Sequence, residues 1–178
     1  VILSARPHDL VAQNEAFKKL VFEENSFPFG ENGEHVTIHI FGTETNGTLD
    51  KNECVVTNQW IFPRVEGGCR FDIVLLINGI PVSIGELKTP VRSSITWLDG
   101  ANDIADYERM APQMFVPNIF NFASEGKCYR YGSVNMPCTM WGPWHTPDHK
   151  DEGTLEDVRI SIADMITPAK VMDIFRFF

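Results

Sequence analysis

The chain has 178 residues, 43% of them hydrophobic, and a formal net charge of −9. This composition fits one globular domain, and the absence of a signal-peptide start or an apolar run near the roughly 18–20 residues of a membrane span predicts a cytoplasmic protein without membrane contact. The acidic charge argues against a nucleic-acid enzyme, because DNA affinity comes largely from Lys and Arg that neutralise phosphates.

The first part of the chain is predicted to hold a helix followed by strands. Apolar residues at helical spacing predict an opening helix over residues 10–24, with Asp9 as its N-cap. Alternation of apolar and polar residues predicts a half-buried strand over residues 34–41. A polar loop separates it from a second strand over residues 54–62.

Residues 71–88 form the most informative stretch, in which two apolar strands meet at a turn formed by Asn78 and Gly79. Asp72, Glu86 and Lys88 are set into these strands. Burying an unpaired carboxylate or ammonium is costly, so these charges need a reason to be there. The arrangement can chelate a divalent metal with its carboxylates and hold an ammonium beside a phosphate, which is the chemistry of a Mg²⁺-dependent nuclease.

The turn geometry sets a condition on this site. A regular two-residue turn places Asp72 opposite Gly85, so that the Asp72 and Glu86 side chains point to opposite faces of the sheet. A three-residue loop through Ile80, or a bulge near Gly85, shifts the pairing by one residue and makes Asp72 face Glu86. We therefore predict such an irregularity. Glu86 and Lys88 share a face in either case, because they are two residues apart.

The second half is predicted to contain a helix, further strands and a helical end. Residues 99–110 form the helix, with Asp99 or Asn102 near its cap. Further strands are predicted over residues 116–122, 128–131 and 136–141. Residues 155–178 are predicted to be helical, with a break near Pro168. This order predicts an α/β fold with a mixed central sheet flanked by helices.

The charged hairpin carries the Asp…Glu-x-Lys signature of the PD-(D/E)xK nuclease superfamily. Its surroundings resemble the N-terminal domain of the restriction (R, motor) subunit of type I restriction-modification enzymes. The resemblance is carried by GCRFDIVLLINGIPV at residues 68–82 and GELKTP at residues 85–90. VTNQW at residues 56–60 resembles the strand before that family's hairpin, and YERMAPQMF at residues 107–115 resembles the helix after it.

The resemblance implies a restriction-endonuclease-like core over residues 1–150 and a helical segment over residues 151–178 that leads toward a helicase motor. The chain has no Gly-x-x-x-x-Gly-Lys-Ser/Thr loop, so ATP would act only through a motor expected beyond Phe178. The resemblance implies a type I site-specific deoxyribonuclease that uses Mg²⁺. Its implied partners are double-stranded DNA and the methyltransferase and specificity subunits.

By the same resemblance, Asp72 and Glu86 are expected to bind the metal, with the backbone carbonyl of Leu87 as a further ligand. Lys88 is expected to orient or activate the attacking water and to stabilise charge on the scissile phosphate. Asp72, Glu86 and Lys88 are thus the expected catalytic residues.

Supporting residues are expected on two helices. The family usually has Gln-x-x-x-Tyr after the hairpin, and this chain has Tyr107 but Asp103 in place of the glutamine. The spacing places Asp103 and Tyr107 on one helical face toward the site. An aspartate cannot donate the hydrogen bond that the glutamine amide would make. Asp103 is therefore interpreted either as an additional metal ligand that acts through a water molecule or as a sign of weakened DNA cleavage. Glu15 corresponds to a first-helix glutamate near the metal in related nucleases, although a surface position is an equal alternative.

Other interpretations remain open at this stage. The charged triad could be a structural ion pair, with Lys88 bridging two carboxylates at a sheet edge. The chain could be a related nuclease of DNA repair or defence, or a catalytically weakened DNA-positioning or interaction module. His145 and His149 have a spacing that suits zinc, but a solvated loop is favoured because Pro and Gly surround them. Trp141 and Trp144 could stack on bases, although packing at a domain junction is the favoured interpretation.

Overall fold

The computed structural model describes residues 7–177 except residues 24–25, 45–46 and 64–67. Within these ranges the chain forms four α-helices, a five-stranded sheet and a separate two-stranded sheet. The helices are α1 (Leu10–Phe22), α2 (Trp97–Met110), α3 (Leu155–Met165) and α4 (Pro168–Phe177). The strands are β1 (Ser26–Phe29), β2 (Glu34–Thr37), β3 (Cys54–Phe62), β4 (Cys69–Ile77), β5 (Ile80–Leu87), β6 (Phe120–Ser124) and β7 (Tyr129–Gly132).

The large sheet has the strand order β3-β4-β5-β6-β7. β3, β4 and β5 are antiparallel neighbours, α2 then crosses over to β6, which runs parallel to β5, and β7 returns antiparallel to β6. The predicted α/β fold with a mixed central sheet flanked by helices is therefore confirmed. None of the helices in the described ranges combines the length and the hydropathy that crossing a bilayer requires.

Helix α2 lies close against one face of the sheet because Gly100 has no side chain. A Cβ added to Gly100 would lie 3.1 Å from the Ala123 Cβ and 3.3 Å from the Glu86 carbonyl oxygen. The helix begins two residues before the predicted start because Thr96 caps it: the Leu98 N–H donates to the Thr96 hydroxyl, and the Thr96 N–H donates to the Asp99 carboxylate. Asp99 is thus the third helical residue of a capping box and not the cap itself.

Helices α3 and α4 contribute to the same hydrophobic core as the sheet. The Tyr129 hydroxyl donates to the Met165 sulfur at 3.2 Å, which joins β7 to α3. In α4, the Phe175 ring contacts the rings of Phe17 and Phe22 of α1, with centroids 6.2 and 5.0 Å apart. The predicted break near Pro168 is confirmed, since α4 begins at that residue. The predicted division at residue 150 stays a prediction.

A strand begins at residue 34 as predicted, but the expectation that it is half-buried and continues to residue 41 is wrong. The strand, β2, ends at Thr37 and pairs with β1 alone, and all four of its residues are exposed. Its apolar alternation is real, but no second layer of structure packs on either face of this hairpin in the described part of the chain. Val36 and Ile38 therefore remain 44% and 50% exposed.

Two of the later predicted strands also differ. The strand expected over residues 116–122 is β6, which begins at Phe120 because Asn118 makes a turn before it: the Asn118 amide donates to the carbonyls of Met114 and Pro81. Residues 136–141 contain a 3₁₀ turn, Cys138–Met140, in place of a strand. The proline at position 137, which precedes this turn, has no N–H for a sheet ladder.

Candidate active site

The β4–β5 hairpin combines a tight turn with an irregular register. Asn78 and Gly79 have φ angles of 53° and 77°, as a two-residue hairpin turn requires. Beyond the turn the pairing shifts by one residue and passes over Val82. The predicted irregularity is confirmed, but it lies at Val82 and not near Gly85 or in a longer loop.

This shift brings Asp72 and Glu86 to the same level of the hairpin. The last ladder pair joins Ile73 and Gly85, so one further step in the same register sets Asp72 opposite Glu86. The ladder ends there, and one oxygen of the Asp72 carboxylate accepts a hydrogen bond from the Leu87 N–H at 3.0 Å. The Asp72 side chain thus bridges the two strands beside Glu86.

Glu86 is a buried carboxyl group with an unusual environment. Its side chain belongs to a residue that is only 5% exposed, and its Oε2 has no hydrogen-bond partner among the described residues. Burial, followed by the negative charge of Asp72, raises the pKa of Glu86 to about 8, although Lys88 opposes the shift. A buried oxygen without a partner is costly, and a cation held by Glu86 and Asp72 would satisfy it. Since Mg²⁺ prefers oxygen ligands, these residues fit that metal.

Lys88 directly follows strand β5 and places a positive charge between that strand and helix α2. Its ammonium lies 3.8 Å from Glu86 Oε1 and contacts the carboxylate of Asp103 directly. Burial works against the charge of Lys88, but the hydrogen bond with Asp103 and the negative charges of Glu86 and Asp72 raise its pKa overall. Lys88 is therefore a cation inside an acidic cluster.

Helix α2 presents Asp103 and Tyr107 toward this cluster, as their spacing predicts. The Tyr107 ring packs edge-on against Phe71 of β4, with centroids 5.2 Å apart. Burial, together with the charges of Glu86, Asp103 and Asp72, raises the pKa of Tyr107 to about 12. The tyrosine hydroxyl therefore stays neutral and remains a hydrogen-bond donor across the physiological pH range.

The supporting role predicted for Glu15 and the metal-ligand role predicted for the Leu87 carbonyl both stay predictions. Glu15 is exposed on α1, and no hydrogen bond or ion pair between described residues links it to Asp72, Glu86 or Lys88. Its expected place near the metal stays a prediction. Leu87 lies beside the carboxylates through its N–H, and the ligand role of its carbonyl also stays a prediction.

Sequence reasoning did not single out Gln59 of β3. Its side-chain amide donates to the second oxygen of the Asp72 carboxylate at 3.1 Å. The only signal for this contact is the register of β3 and β4, which sets position 59 opposite position 72 and which the residue pattern does not specify. Gln59 therefore joins the candidate site from the neighbouring strand.

The described residues offer no separate metal centre. No group of three or more His, Cys, Asp or Glu residues in these ranges is arranged to hold a metal ion, and the candidate site at the hairpin offers the two carboxylates of Asp72 and Glu86. His145 lies 3.4 Å from a carboxylate oxygen of Glu152, and His149 lies 2.8 Å from one of Asp157. The two histidines lie in a loop and have different partners, but their side chains are partly buried and paired with carboxylates, so the loop is less solvated than predicted.

Both tryptophans of this region pack inside the protein. Trp141 is buried, and its indole N–H donates to the Met136 carbonyl at 3.3 Å. The Trp144 indole N–H donates to Asp164 of α3 at 2.8 Å. Both side chains thus pack against the protein, with Trp144 partly buried, whereas a domain junction at this place stays a prediction.

Comparison with known proteins agrees with the resemblance read from the hairpin. Residues 3–137 match the family described as type I restriction enzyme R protein N terminus. The HindI type I restriction enzyme endonuclease subunit of Haemophilus influenzae is 28% identical over 177 residues, which cover 96% of this chain and 16% of that protein. A Methanocaldococcus jannaschii protein, provisionally named the MjaIXP type I restriction enzyme endonuclease subunit, is 28% identical over 147 residues, or 81% of this chain and 14% of that protein.

Proposed function

Since the chain belongs to the family of type I restriction enzyme R protein N termini, we propose that it is a Mg²⁺-dependent endonuclease domain that hydrolyses phosphodiester bonds of double-stranded DNA. The chain spans about a sixth of the length of the curated relatives it matches. Coupling of cleavage to ATP-driven translocation is therefore proposed for the full-length protein, through a motor outside these residues.

The observation that carries this proposal is the meeting of Asp72, Glu86 and Lys88 at the bulged hairpin. Lys88 has Glu86 and Asp103 as carboxylate neighbours, an arrangement that a structural ion pair would share, but Asp72 adds a third carboxylate beside Glu86. Glu86 keeps a buried oxygen without a partner. Three carboxylates around one ammonium, one of them buried, form a cluster whose excess negative charge a divalent cation would compensate.

Asp72 and Glu86 are the residues that would hold Mg²⁺. A bound Mg²⁺ supplies a Lewis acid for the phosphodiester and lowers the pKa of water. The two carboxylates orient and neutralise the cation, and the burial of Glu86 excludes water that would otherwise weaken these electrostatic interactions.

Lys88 is the cationic group of the site. Its ammonium can donate hydrogen bonds to an attacking water or to a phosphate oxygen, where it would offset the negative charge that develops during hydrolysis. Tyr107 is a neutral donor one turn along α2 from Asp103 and supports the same region. These proposed roles agree with the charge and donor chemistry of the two side chains and with what the family resemblance implies.

The net charge of −9 bears on the proposed partners. An acidic chain adds little long-range attraction for DNA. We therefore propose that double-stranded DNA is held mainly by other parts of a type I complex, with its methyltransferase and specificity subunits, and that this domain acts on DNA delivered to it.

One observation favours a second candidate, a weakened DNA-positioning module. Asp103 contacts the Lys88 ammonium directly, in the position where the family usually has glutamine. A carboxylate bound to Lys88 competes with a phosphate for the same cation. If this contact persists in the complex with DNA, the domain would bind the duplex and cleave it poorly.

The test is DNA cleavage by the assembled full-length enzyme carrying Asp72→Ala or Lys88→Ala. We expect each change to reduce cleavage by at least about 10²-fold while ATP hydrolysis continues. Glu108→Gln, a change at a buried glutamate outside the site, serves as the matched control and should cleave like the unmodified enzyme. Undiminished cleavage by Asp72→Ala would overturn the proposal, and an unmodified enzyme that binds but does not cut DNA would support the positioning module.

A further inference from the structure

Gln59 has a strained backbone in the middle of a β-strand. Its φ angle is 52°, in the left-handed region, although β3 continues on both sides of it. Residues other than glycine rarely adopt this conformation, and it is costly for a side chain as long as glutamine. Such strain is retained where the surrounding structure or a function requires it.

The strain occurs at the level of the candidate catalytic aspartate. The β3–β4 pairing includes Asn58 with Ile73 and Trp60 with Phe71, and it passes over Gln59 and Asp72. In place of a ladder pair, the Gln59 amide donates to Asp72 Oδ1 at 3.1 Å. The left-handed backbone therefore coincides with a side-chain contact to Asp72.

The Asp72 carboxylate is held from both sides as a result. The Leu87 N–H of β5 donates to Oδ2 at 3.0 Å, and Gln59 of β3 donates to Oδ1 at 3.1 Å. Each carboxylate oxygen has two lone-pair sites, so one remains free on each oxygen for a cation. Two donors on opposite sides fix the rotation of the carboxylate without blocking its ability to bind metal.

We propose that Gln59 is a positioning residue that orients the Asp72 carboxylate for divalent metal binding. This inference rests on the proposed function, in which Asp72 binds the metal. Residues that hydrogen-bond to a metal ligand typically change metal affinity by about 10–100-fold when they are removed. The Gln59 side chain is exposed, so the effect should lie near the lower end of that range.

The test measures Mn²⁺ binding by the full-length protein without nucleotide. Gln59→Met keeps the side-chain length and removes the donor, and Gln59→Gly removes the donor while adopting a positive φ freely. Asn58→Ala, at the adjacent exposed position of β3, is the matched control. Hydrogen exchange of peptides from β3 and β4 reports whether the local fold is kept, and Asp72→Ala measures the loss of the ligand itself.

We expect Gln59→Met and Gln59→Gly to weaken Mn²⁺ binding by about tenfold with unchanged exchange protection, and Asn58→Ala to bind as the unmodified protein does. Saturating Mn²⁺ should restore DNA cleavage by both Gln59 variants in the assembled enzyme, which a purely structural role would not allow. If Asp72→Ala abolishes binding and both Gln59 variants bind normally, the positioning role is wrong. If Asp72→Ala itself binds Mn²⁺ normally, the proposed function fails instead.

Discussion

Glu86 and Glu108 are two buried glutamates whose surroundings differ. Both are nearly inaccessible, at 5% and 7% exposure, and burial raises both pKa values, to about 8 and about 7. Glu108 accepts a hydrogen bond from the Asn135 N–H at 2.9 Å, and the positive charge of Arg109 partly opposes the rise of its pKa. Glu86 has Asp72 as a second negative charge beside it and an oxygen without a partner among the described residues.

The difference separates a structural carboxyl group from a candidate metal ligand. Burial alone accounts for the shift at Glu108, and a backbone donor satisfies it. At Glu86 the sequence adds a second carboxylate where burial has already made charge costly, and Lys88, whose ammonium lies 3.8 Å from Glu86 Oε1, offsets this only in part. A pair of carboxylates that lowers the stability of the fold in this way is expected where a function requires it.

The largest expected effect is on catalysis. In the assembled full-length enzyme, Glu86→Gln should reduce DNA cleavage by at least about 10²-fold because the amide removes negative charge from the metal site. Glu108→Gln should change cleavage by less than about twofold, since its carbonyl can still accept from the Asn135 N–H. Equal losses in the two variants would remove the distinction between the two sites.

Stability of the metal-free chain should respond to pH in the same sense at both residues. Each folded-state pKa lies above the ordinary value of 4.5, so the folded state holds its proton more tightly than the unfolded state does. The free energy of unfolding therefore falls as pH rises from about 4.5, and the full cost is reached above about pH 8 at Glu86 and about pH 7 at Glu108.

Glu86→Gln should accordingly raise the melting temperature of the metal-free chain by at least about 4 °C at pH 8.5 and by little at pH 5. The gain from Glu108→Gln should be smaller, because Asn135 and Arg109 already compensate its charge. Calorimetric melts of the three proteins at both pH values measure the difference. A melting temperature that drops in Glu86→Gln at pH 8.5 would mean that the carboxylate stabilises the fold.

Gly100→Ala tests whether DNA cleavage depends on the close packing of helix α2 against the strand that carries Glu86. The added Cβ would lie 3.1 Å from Ala123 and 3.3 Å from the Glu86 carbonyl, so helix or strand must move by a few tenths of an ångström. We expect cleavage to fall by about tenfold, since catalytic geometry tolerates little displacement. Asn102→Ala, an exposed position on the same helix, controls for helix propensity and should cleave normally.

Asp103→Gln should have the smallest effect and the opposite sign. Removing the carboxylate that contacts Lys88 frees the ammonium for a phosphate, and the pair is partly exposed, so the change is worth about 1 kcal/mol or less. We expect cleavage to rise by about two- to fivefold. A loss comparable with that of Lys88→Ala would show instead that Asp103 holds Lys88 in its working position.

Much of this arrangement could be predicted because local signals agree with the tertiary structure. The Asn78–Gly79 turn, the apolar strands on either side and the spacing of Asp103 and Tyr107 each specify one conformation. The need for a shifted register could be derived from side-chain alternation. Its position at Val82 could not, because alternation fixes only the total shift between the turn and Glu86 and not the residue at which the shift occurs.

The failures have a common physical origin in tertiary context. The alternation in β2 predicts a buried face, yet whether a second layer covers that face depends on distant parts of the chain. The strained φ of Gln59 and its contact with Asp72 appear only when β3 is paired with β4. A glutamine within VTNQW has no local feature that predicts a left-handed backbone.

The most direct test of the central claim is a calorimetric titration of the 178-residue chain with Mg²⁺ at pH 7 and pH 8.5. We predict one site, whose affinity rises about five- to tenfold between the two pH values because Glu86 must lose its proton before it binds the cation. Glu86→Gln should abolish this binding, and Glu108→Gln should leave it unchanged. Binding of equal affinity at both pH values that persists in Glu86→Gln would contradict the assignment of the hairpin as the metal site.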